Sequence, residues 1–180
     1  MENKKKTVMY AGMALFCMCL MQFVFTGILY SPLSLYTASI IEDLNITRTA
    51  YAVTLTAMSL VCMPANWILG WLKKKISIRG VLILGGSVMT VSMFLYSKAN
   101  SLGMLYVAAI LTGIAFAYVA SAIGATVINT WFHKNAGVLV GASLIGSGIG
   151  GTIFSPIVGQ WIAGYGWRHS FTIASIIALV

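Results

Sequence analysis

LKKKISIR, residues 72 to 79, is the densest group of charges in an otherwise apolar chain. It holds four cations in eight residues, and long apolar segments flank it on both sides. Hydrophobic residues make up 59% of the 180 residues and charged residues only 8%, whereas soluble domains carry about a quarter charged residues. We therefore predict an integral membrane protein in which this stretch is a loop between two spanning helices.

Spanning segments follow on both sides of this loop. A membrane-spanning helix needs about 20 mostly apolar residues, and such segments predict an all-α polytopic transmembrane bundle of five full spans and an incomplete sixth. The predicted spans cover residues 8–41, 50–72, 80–96, 104–132, 136–165 and 170–180. The first is too long for one straight crossing, so either a kink or an outer end that emerges from the membrane is expected near Pro32. The last is too short to cross, so the chain is expected to be truncated within it.

The basic residues predict the orientation of the bundle in the membrane. Eight of the eleven Lys and Arg residues fall on the side of the N-terminus, and three fall on the other side. The inner residues are Lys4, Lys5, Lys6, Lys73, Lys74, Lys75, Arg79 and Lys134, and the outer ones are Arg48, Lys98 and Arg168. This bias predicts a cytoplasmic N-terminus in a multi-pass plasma-membrane protein. It also explains the net charge of +8 without a nucleic-acid partner.

Catalytic and metal-binding signatures are missing from the sequence. It contains no metalloprotease, nucleophile-elbow or phosphate-binding-loop motif, so no enzymatic activity and no cofactor are expected. Cys17, Cys19 and Cys62 all fall inside apolar spans and are read as small packing residues. His133 and His169 are predicted at opposite membrane faces, which argues against a shared metal or catalytic pair.

Polar residues inside the predicted spans are candidates for a solute site. Gln22, Thr26 and Tyr30 recur every four residues and so share one helix face, and Tyr118 and Asn129 lie on a second such face in the fourth span. These stripes either hold neighbouring helices together by hydrogen bonds or line a polar cavity near the membrane midplane. No Asp, Glu, Lys or Arg is predicted at hydrocarbon depth, so this part of the chain supplies no group for proton coupling.

The fifth predicted span is rich in glycine. Small residues let helix backbones approach closely, and a helix interrupted by glycine and proline can bend. The residues assigned to this helix packing are Gly137, Gly141, Gly146, Gly148, Gly150, Gly151 and Pro156. The apolar setting excludes a phosphate-binding loop.

Three stretches resemble the N-terminal half of transporters of the major facilitator superfamily, and within it the monocarboxylate and oxalate/formate antiporter group. The segment from Gly27 to Leu33 is similar to that group's G-x-x-Y segment. Trp131-Phe132-His133-Lys134, followed by glycines from Gly137 to Gly151, resembles its W-F motif and glycine run. Gly166-Trp167-Arg168 matches the G-W-R that precedes the sixth span in many members.

The opening stretch carries a fourth, partial resemblance. The superfamily's loop between spans two and three reads G-x-L-x-D-[RK]-x-G-[RK]-[RK], and Gly70, Leu72, Lys75 and Arg79 match it in register. Lys74 stands where the acid belongs, and Ser77 replaces the second glycine. Since that acid meets helix N-termini and cations of an opposing bundle, Lys74 predicts a weaker latch.

The resemblance implies a twelve-span carrier made of two six-span bundles with alternating access to a central site. Its implied partners are the lipid bilayer, a small organic-anion solute and a C-terminal six-span half. Tyr30 and Tyr118 resemble aromatic residues that line the pocket of the family. Two alternatives stay open: a non-transporting truncated fragment that serves in structure or assembly, and a carrier formed by two paired half-bundles. The substrate, the coupling ion and the direction of transport do not follow from the sequence.

Overall fold

A computed structural model describes residues 12–13, 16–17, 19–121 and 136–179 of the chain. These residues are helical apart from short connections and include no β-strand, which confirms the predicted all-α bundle. The helices are α1 (Cys19–Ser34), α2 (Tyr36–Leu44), α3 (Arg48–Leu72), α4 (Ile78–Ser97), α5 (Leu102–Phe116) and α6 (Ala136–Leu179).

The first predicted span is bent where a kink was expected. Helices α1 and α2 meet at an angle of 49°. Within α1, Phe23–Tyr30 is a π-helix and Ser31–Ser34 is a 3₁₀ turn, and the Ser31 N–H bonds the carbonyl of Thr26. Pro32 has no N–H and its ring would clash with a carbonyl one turn back, so the regular α-helical register cannot continue through it.

Side-chain caps determine where three helices begin. Thr47 Oγ1 accepts from the Ala50 N–H at 3.2 Å and so caps the start of α3. Ser77 and Ser101 act in the same way at α4 and α5. Each of these three helices therefore starts two residues before its predicted span, directly after its capping residue.

Helix α6 contains the fifth and sixth predicted segments. Gly166 has φ 79° and ψ 161° and breaks the helix into a first arm (136–165) and a second arm (167–179). The predicted spans leave residues 166–169 as a connection, but the break is confined to Gly166, and residues 167 to 169 are helical. A positive φ strains any residue with a side chain, so glycine allows this abrupt break.

Several helices have the length and hydropathy of membrane spans. Within the described ranges, three qualify singly, Arg48–Leu72, Ile78–Ser97 and Leu102–Val119, and the bent pair α1 and α2 would add a fourth as one span. Helix α3, with 25 residues, is about 37 Å long at 1.5 Å per residue, which exceeds the hydrocarbon thickness of a bilayer.

Helix α1 packs against the first arm of α6, α3 packs against α5, and α4 packs against both α5 and α6. Two buried clusters lie between them. The larger includes Tyr51, Met93, Tyr96 and Phe171, and the smaller includes Ala65, Leu69, Val81 and Tyr118. Buried hydroxyls cross-link the bundle, since Ser92 Oγ and Thr112 Oγ1 lie 2.6 Å apart between α4 and α5.

Candidate functional site

A cavity of about 530 Å³ lies between α1, α3 and the first arm of α6. We call it the hydroxyl cavity, because six of the ten residues that line it carry a hydroxyl group. They are Thr26, Tyr30, Ser31, Leu33, Ser34, Leu55, Met58, Ser59, Ser147 and Gly148. Leu55, Met58 and Ser59 are close to the middle of α3, so the cavity lies near half the depth of that helix.

Two residues of the first predicted stripe line the hydroxyl cavity, and the third supports one of them. Thr26 and Tyr30 line the hydroxyl cavity. Gln22 is buried, with 6% of its surface exposed, and its Oε1 accepts from Thr26 Oγ1 at 2.9 Å. Gln22 therefore orients Thr26 and does not itself reach the cavity.

Tyr30 joins the cavity wall to α5. Its ring stacks on Phe116, with centroids 4.3 Å apart and planes inclined by 25°. Such offset stacking holds the ring in one orientation. Tyr30 also belongs to the π-helical stretch of α1, and π-helical insertions occur often at functional sites.

The second predicted stripe does not reach this cavity in the described part of the chain. Tyr118 is buried against Ala65, Leu69 and Val81, and it is not among the residues that line the cavity. Asn129 lies outside the described residues, as do Trp131 and His133. The wall that the structure describes is thus formed by α1, α3 and α6 alone.

The hydroxyl groups in the cavity have different hydrogen-bonding capacity. Thr26 donates to Gln22, Ser59 donates to the carbonyl of Leu55, and Ser147 donates to the carbonyl of Leu144. Within the described residues, the hydroxyls of Tyr30, Ser31 and Ser34 have no hydrogen-bond partner. These three groups of α1 can therefore donate to a solute, and no residue that lines the described cavity is charged.

The glycine run of α6 gives close helix contact at three of the predicted positions. A Cβ on Gly150 would lie 2.5 Å from the Phe23 carbonyl and 2.9 Å from Gly27 Cα. Gly146 packs on the backbone of Cys19, and Gly151 packs on the side chain of Ser31. Cys19, Phe23, Gly27 and Ser31 are spaced by four residues, so one edge of α1 rests on this run.

Other members of the predicted glycine set have different surroundings. Gly141 and Gly148 have open space where a Cβ would lie, and Gly148 lines the hydroxyl cavity. Pro156 is exposed within α6, and Gly137 lies in the first turn of the same helix. Close packing also uses Gly27, Gly85 and Gly113, which the sequence did not single out for packing.

Arg168 ties together the connections at one end of the bundle. It forms an ion pair with Asp43 at the end of α2 and donates to the Ala99 carbonyl at 3.1 Å and to Asn100 Oδ1 at 3.3 Å. Its guanidinium also stacks on Trp167, 4.2 Å from the ring centroid. One side chain thus links α2, the connection from α4 to α5, and the second arm of α6.

The family follows from the sequence as a whole. A model of the Major Facilitator Superfamily matches residues 13–180. The chain belongs to this superfamily. The predicted resemblance is thereby confirmed, and membership together with the apolar helices makes the chain part of a multi-pass membrane protein.

Several transporters of the superfamily are similar to this chain. Monocarboxylate transporter 12-B from Danio rerio is 33% identical over 116 residues, covering 64% of this chain and 24% of that protein. Riboflavin transporter RibJ from Trypanosoma brucei brucei is 37% identical over 57 residues, covering 32% of this chain and 10% of that protein. The Hexuronate transporter from Bacillus subtilis is 26% identical over 154 residues, covering 83% and 36%. In these three matches, the chain covers at most 36% of the relative's length.

The stretch that partly resembles the superfamily's loop signature covers the end of α3, the connection to α4 and the start of α4. Lys74, Lys75 and Arg79 are exposed, and Leu72 packs at the edge of the Ala65 and Leu69 cluster. Lys75 Nζ lies 4.1 Å from the centroid of the Trp71 ring, and partial burial lowers the pKa of Lys73. Gly70 is exposed with open space around it, so no close contact within the described bundle requires a glycine there.

Proposed function

We propose that this chain forms the N-terminal six-span bundle of a secondary active transporter. In this proposal, a small organic anion crosses the plasma membrane by alternating access, and a companion C-terminal bundle completes the solute site. The single observation that carries the proposal is the hydroxyl cavity, which lies near half the depth of α3 in a chain of the superfamily. Transporters place their sites near the membrane midplane.

The substrate class rests on two further observations. Tyr30, Ser31 and Ser34 offer hydroxyl donors on one side of the cavity, and donors are what a carboxylate requires. Two relatives are named for organic acids, a monocarboxylate and a hexuronate. The described cavity wall has no cation, so the proposal assigns the charge that balances the anion to the companion bundle.

The orientation in the membrane follows from the basic residues. Lys73, Lys74 and Lys75 lie at one end of α3 and Arg48 at the other, and the excess of cations marks the first end as cytoplasmic. The N-terminus is on the same side in this proposal. The Arg168 contacts then lie at the extracellular end, where they hold three connections together as the two bundles rock.

The test is uptake by cells that express the full reading frame containing this chain. Radiolabelled monocarboxylate and hexuronate are the probes, and a neutral sugar is the comparison solute. Tyr30→Phe and Ser34→Ala each remove one cavity donor, while Ser87→Ala removes an exposed hydroxyl on α4 that does not line the cavity. Loss of one hydrogen bond from a hydroxyl to a charged carboxylate is expected to reduce anion uptake about tenfold or more at equal protein in the membrane.

Two results would contradict the proposal in different ways. Uptake of the neutral sugar without uptake of either anion would exclude the substrate class. Unchanged KM and kcat for both cavity variants, with all variants present in the membrane, would remove the hydroxyl cavity from the transport path.

A further inference from the structure

A second cavity of about 300 Å³ lies at the end of the bundle that holds Arg48, opposite Lys73–Lys75. It is formed by the end of α4 and the start of the second arm of α6, and it shares no lining residue with the hydroxyl cavity. We call it the cationic cavity. Its lining residues are Ser97, Lys98, Asn100, Arg168, His169 and Thr172.

Positive charge exceeds negative charge in this cavity. The Arg168 charge is offset by Asp43, its ion-pair partner. Neither Lys98 nor His169 has an ion-pair partner among the described residues, and no acidic side chain is among those that line the cavity. The Lys98 ammonium therefore supplies a net positive charge, and His169 adds an imidazole that can form hydrogen bonds.

Polar groups around these cations suit a ligand that both accepts and donates hydrogen bonds. Asn100 Oδ1 is occupied by Arg168, which leaves the Asn100 amide NH₂ as a donor. Ser97 and Thr172 donate their hydroxyl protons to the backbone carbonyls of Phe94 and Arg168, so their oxygens meet a ligand as acceptors. A plain carboxylate has no proton for these acceptors, whereas a hydroxyl-bearing phosphate does.

The two helix ends around the cavity have dipoles of opposite sign. Arg168 and His169 lie in the first turn after the break at Gly166, where the positive end of the second arm's dipole favours an anion. Lys98 caps the C-terminal end of α4, where the dipole stabilises the cation itself. The cavity therefore combines an anion-attracting helix end on α6 with a cationic residue at the C-terminal end of α4.

We propose that the cationic cavity, through Lys98, Asn100 and His169, binds a phosphate group that carries or adjoins a hydroxyl. The volume of about 300 Å³ admits such a group but is at the lower limit for a whole drug-sized ligand. Inorganic phosphate and the headgroup of phosphatidylglycerol share this chemistry. The site is separate from the proposed transport path, since it lies at one end of the bundle and none of its lining residues lines the hydroxyl cavity.

The test uses protein purified from the full reading frame in nanodiscs, with thermal unfolding as the readout. One arm adds inorganic phosphate to nanodiscs of neutral phosphatidylcholine, with chloride at matched ionic strength as the reference. The other arm incorporates phosphatidylglycerol and adds no phosphate. The variants are Lys98→Gln and His169→Gln, and Arg48→Gln is the matched control, since Arg48 is an exposed cation at the same end that does not line the cavity.

Removing a charged donor is expected to weaken binding about tenfold or more. A free anion is the ligand if inorganic phosphate raises the unfolding midpoint, Lys98→Gln reduces that increase and Arg48→Gln leaves it unchanged. Stabilisation by phosphatidylglycerol alone, with the same dependence on Lys98, would identify a lipid headgroup. Both arms without effect, or an effect equal in Lys98→Gln, His169→Gln and Arg48→Gln, would overturn the proposal. Unfolding midpoints in chloride alone show whether each variant is folded.

Discussion

Arg168 and Asp43 form an ion pair across the end of the bundle, although 125 positions separate them in the chain. Their side chains are 35% and 44% exposed, so the ion pair alone is expected to contribute at most about 1 kcal/mol. Arg168 does more than pair with Asp43, because it also donates to Ala99 and Asn100 and stacks on Trp167.

Substitution of Arg168 should therefore cost more stability than substitution of Asp43. We expect Asp43→Asn to lower the free energy of unfolding by less than about 1 kcal/mol, and Arg168→Ala to lower it by about 1–3 kcal/mol. Denaturant unfolding of the purified protein in detergent measures both, and the double variant gives the coupling. Equal losses for the two single variants would show that the ion pair is the whole contribution of Arg168.

Glycine 150 should not tolerate a methyl group, whereas Gly159 should. A Cβ on Gly150 would press on the backbone of Phe23 and Gly27, while Gly159 has open space at the same atom. Backbone cannot move aside as a flexible side chain can, so Gly150→Ala is expected to cost about 1–3 kcal/mol. The yield of folded protein and its unfolding midpoint measure this. The prediction fails if Gly150→Ala and Gly159→Ala behave alike.

Gly148→Ala should narrow the hydroxyl cavity without disturbing the fold. Its Cβ would point into open space, and the residue lines the cavity. We expect transport of the larger of two accepted solutes to fall more than transport of the smaller, with the unfolding midpoint unchanged. Gly141→Ala is the matched control, since Gly141 is also open and does not line the cavity. An equal effect of both variants on both solutes would contradict a role of Gly148 in solute size.

Lys74→Asp should restore the acid of the superfamily's loop signature. Lys74 is exposed on the connection between α3 and α4, so reversing its charge need not break a buried contact. In the proposed transporter, an acid there would attract helix N-termini and cations of the companion bundle and so stabilise one access state. Thiol accessibility at the two ends measures the change, with Arg48→Asp as a charge-reversal control at the other end. An unchanged distribution of states would refute the weak-latch hypothesis.

Features set by local sequence were predictable. The Thr47 cap depends on residues within three positions, and the bend near Pro32 depends on a missing N–H, so both follow from a short stretch of chain. Thr26 and Tyr30 share a face because helical periodicity places them there. The all-α bundle follows in the same way from long apolar segments.

Features set by neighbouring helices were not predictable from one sequence. Gly85 packs tightly against Val119 and Tyr118, while Gly86, one residue later, has open space, and no local pattern distinguishes the two. The same holds for Tyr118 in the π-helix Ala117–Ser121, which continues α5, because its burial against α3 and α4 depends on how that helix is rotated in the bundle. Gln22 was predicted as a site residue because of its spacing, yet its side chain supports Thr26.

The most direct test of the central claim is thiol accessibility at Ser59 in the hydroxyl cavity. Ser59→Cys is made after replacing Cys17, Cys19 and Cys62. The control is Ser87→Cys, because Ser87 lies on the outer face of the spanning helix α4 and does not line the hydroxyl cavity. If the cavity is the transport site, a membrane-impermeant thiol reagent should modify Ser59→Cys, and transported solute should slow that modification. Modification of Ser59→Cys as slow as that of Ser87→Cys, with or without solute, would contradict a transport site at this cavity.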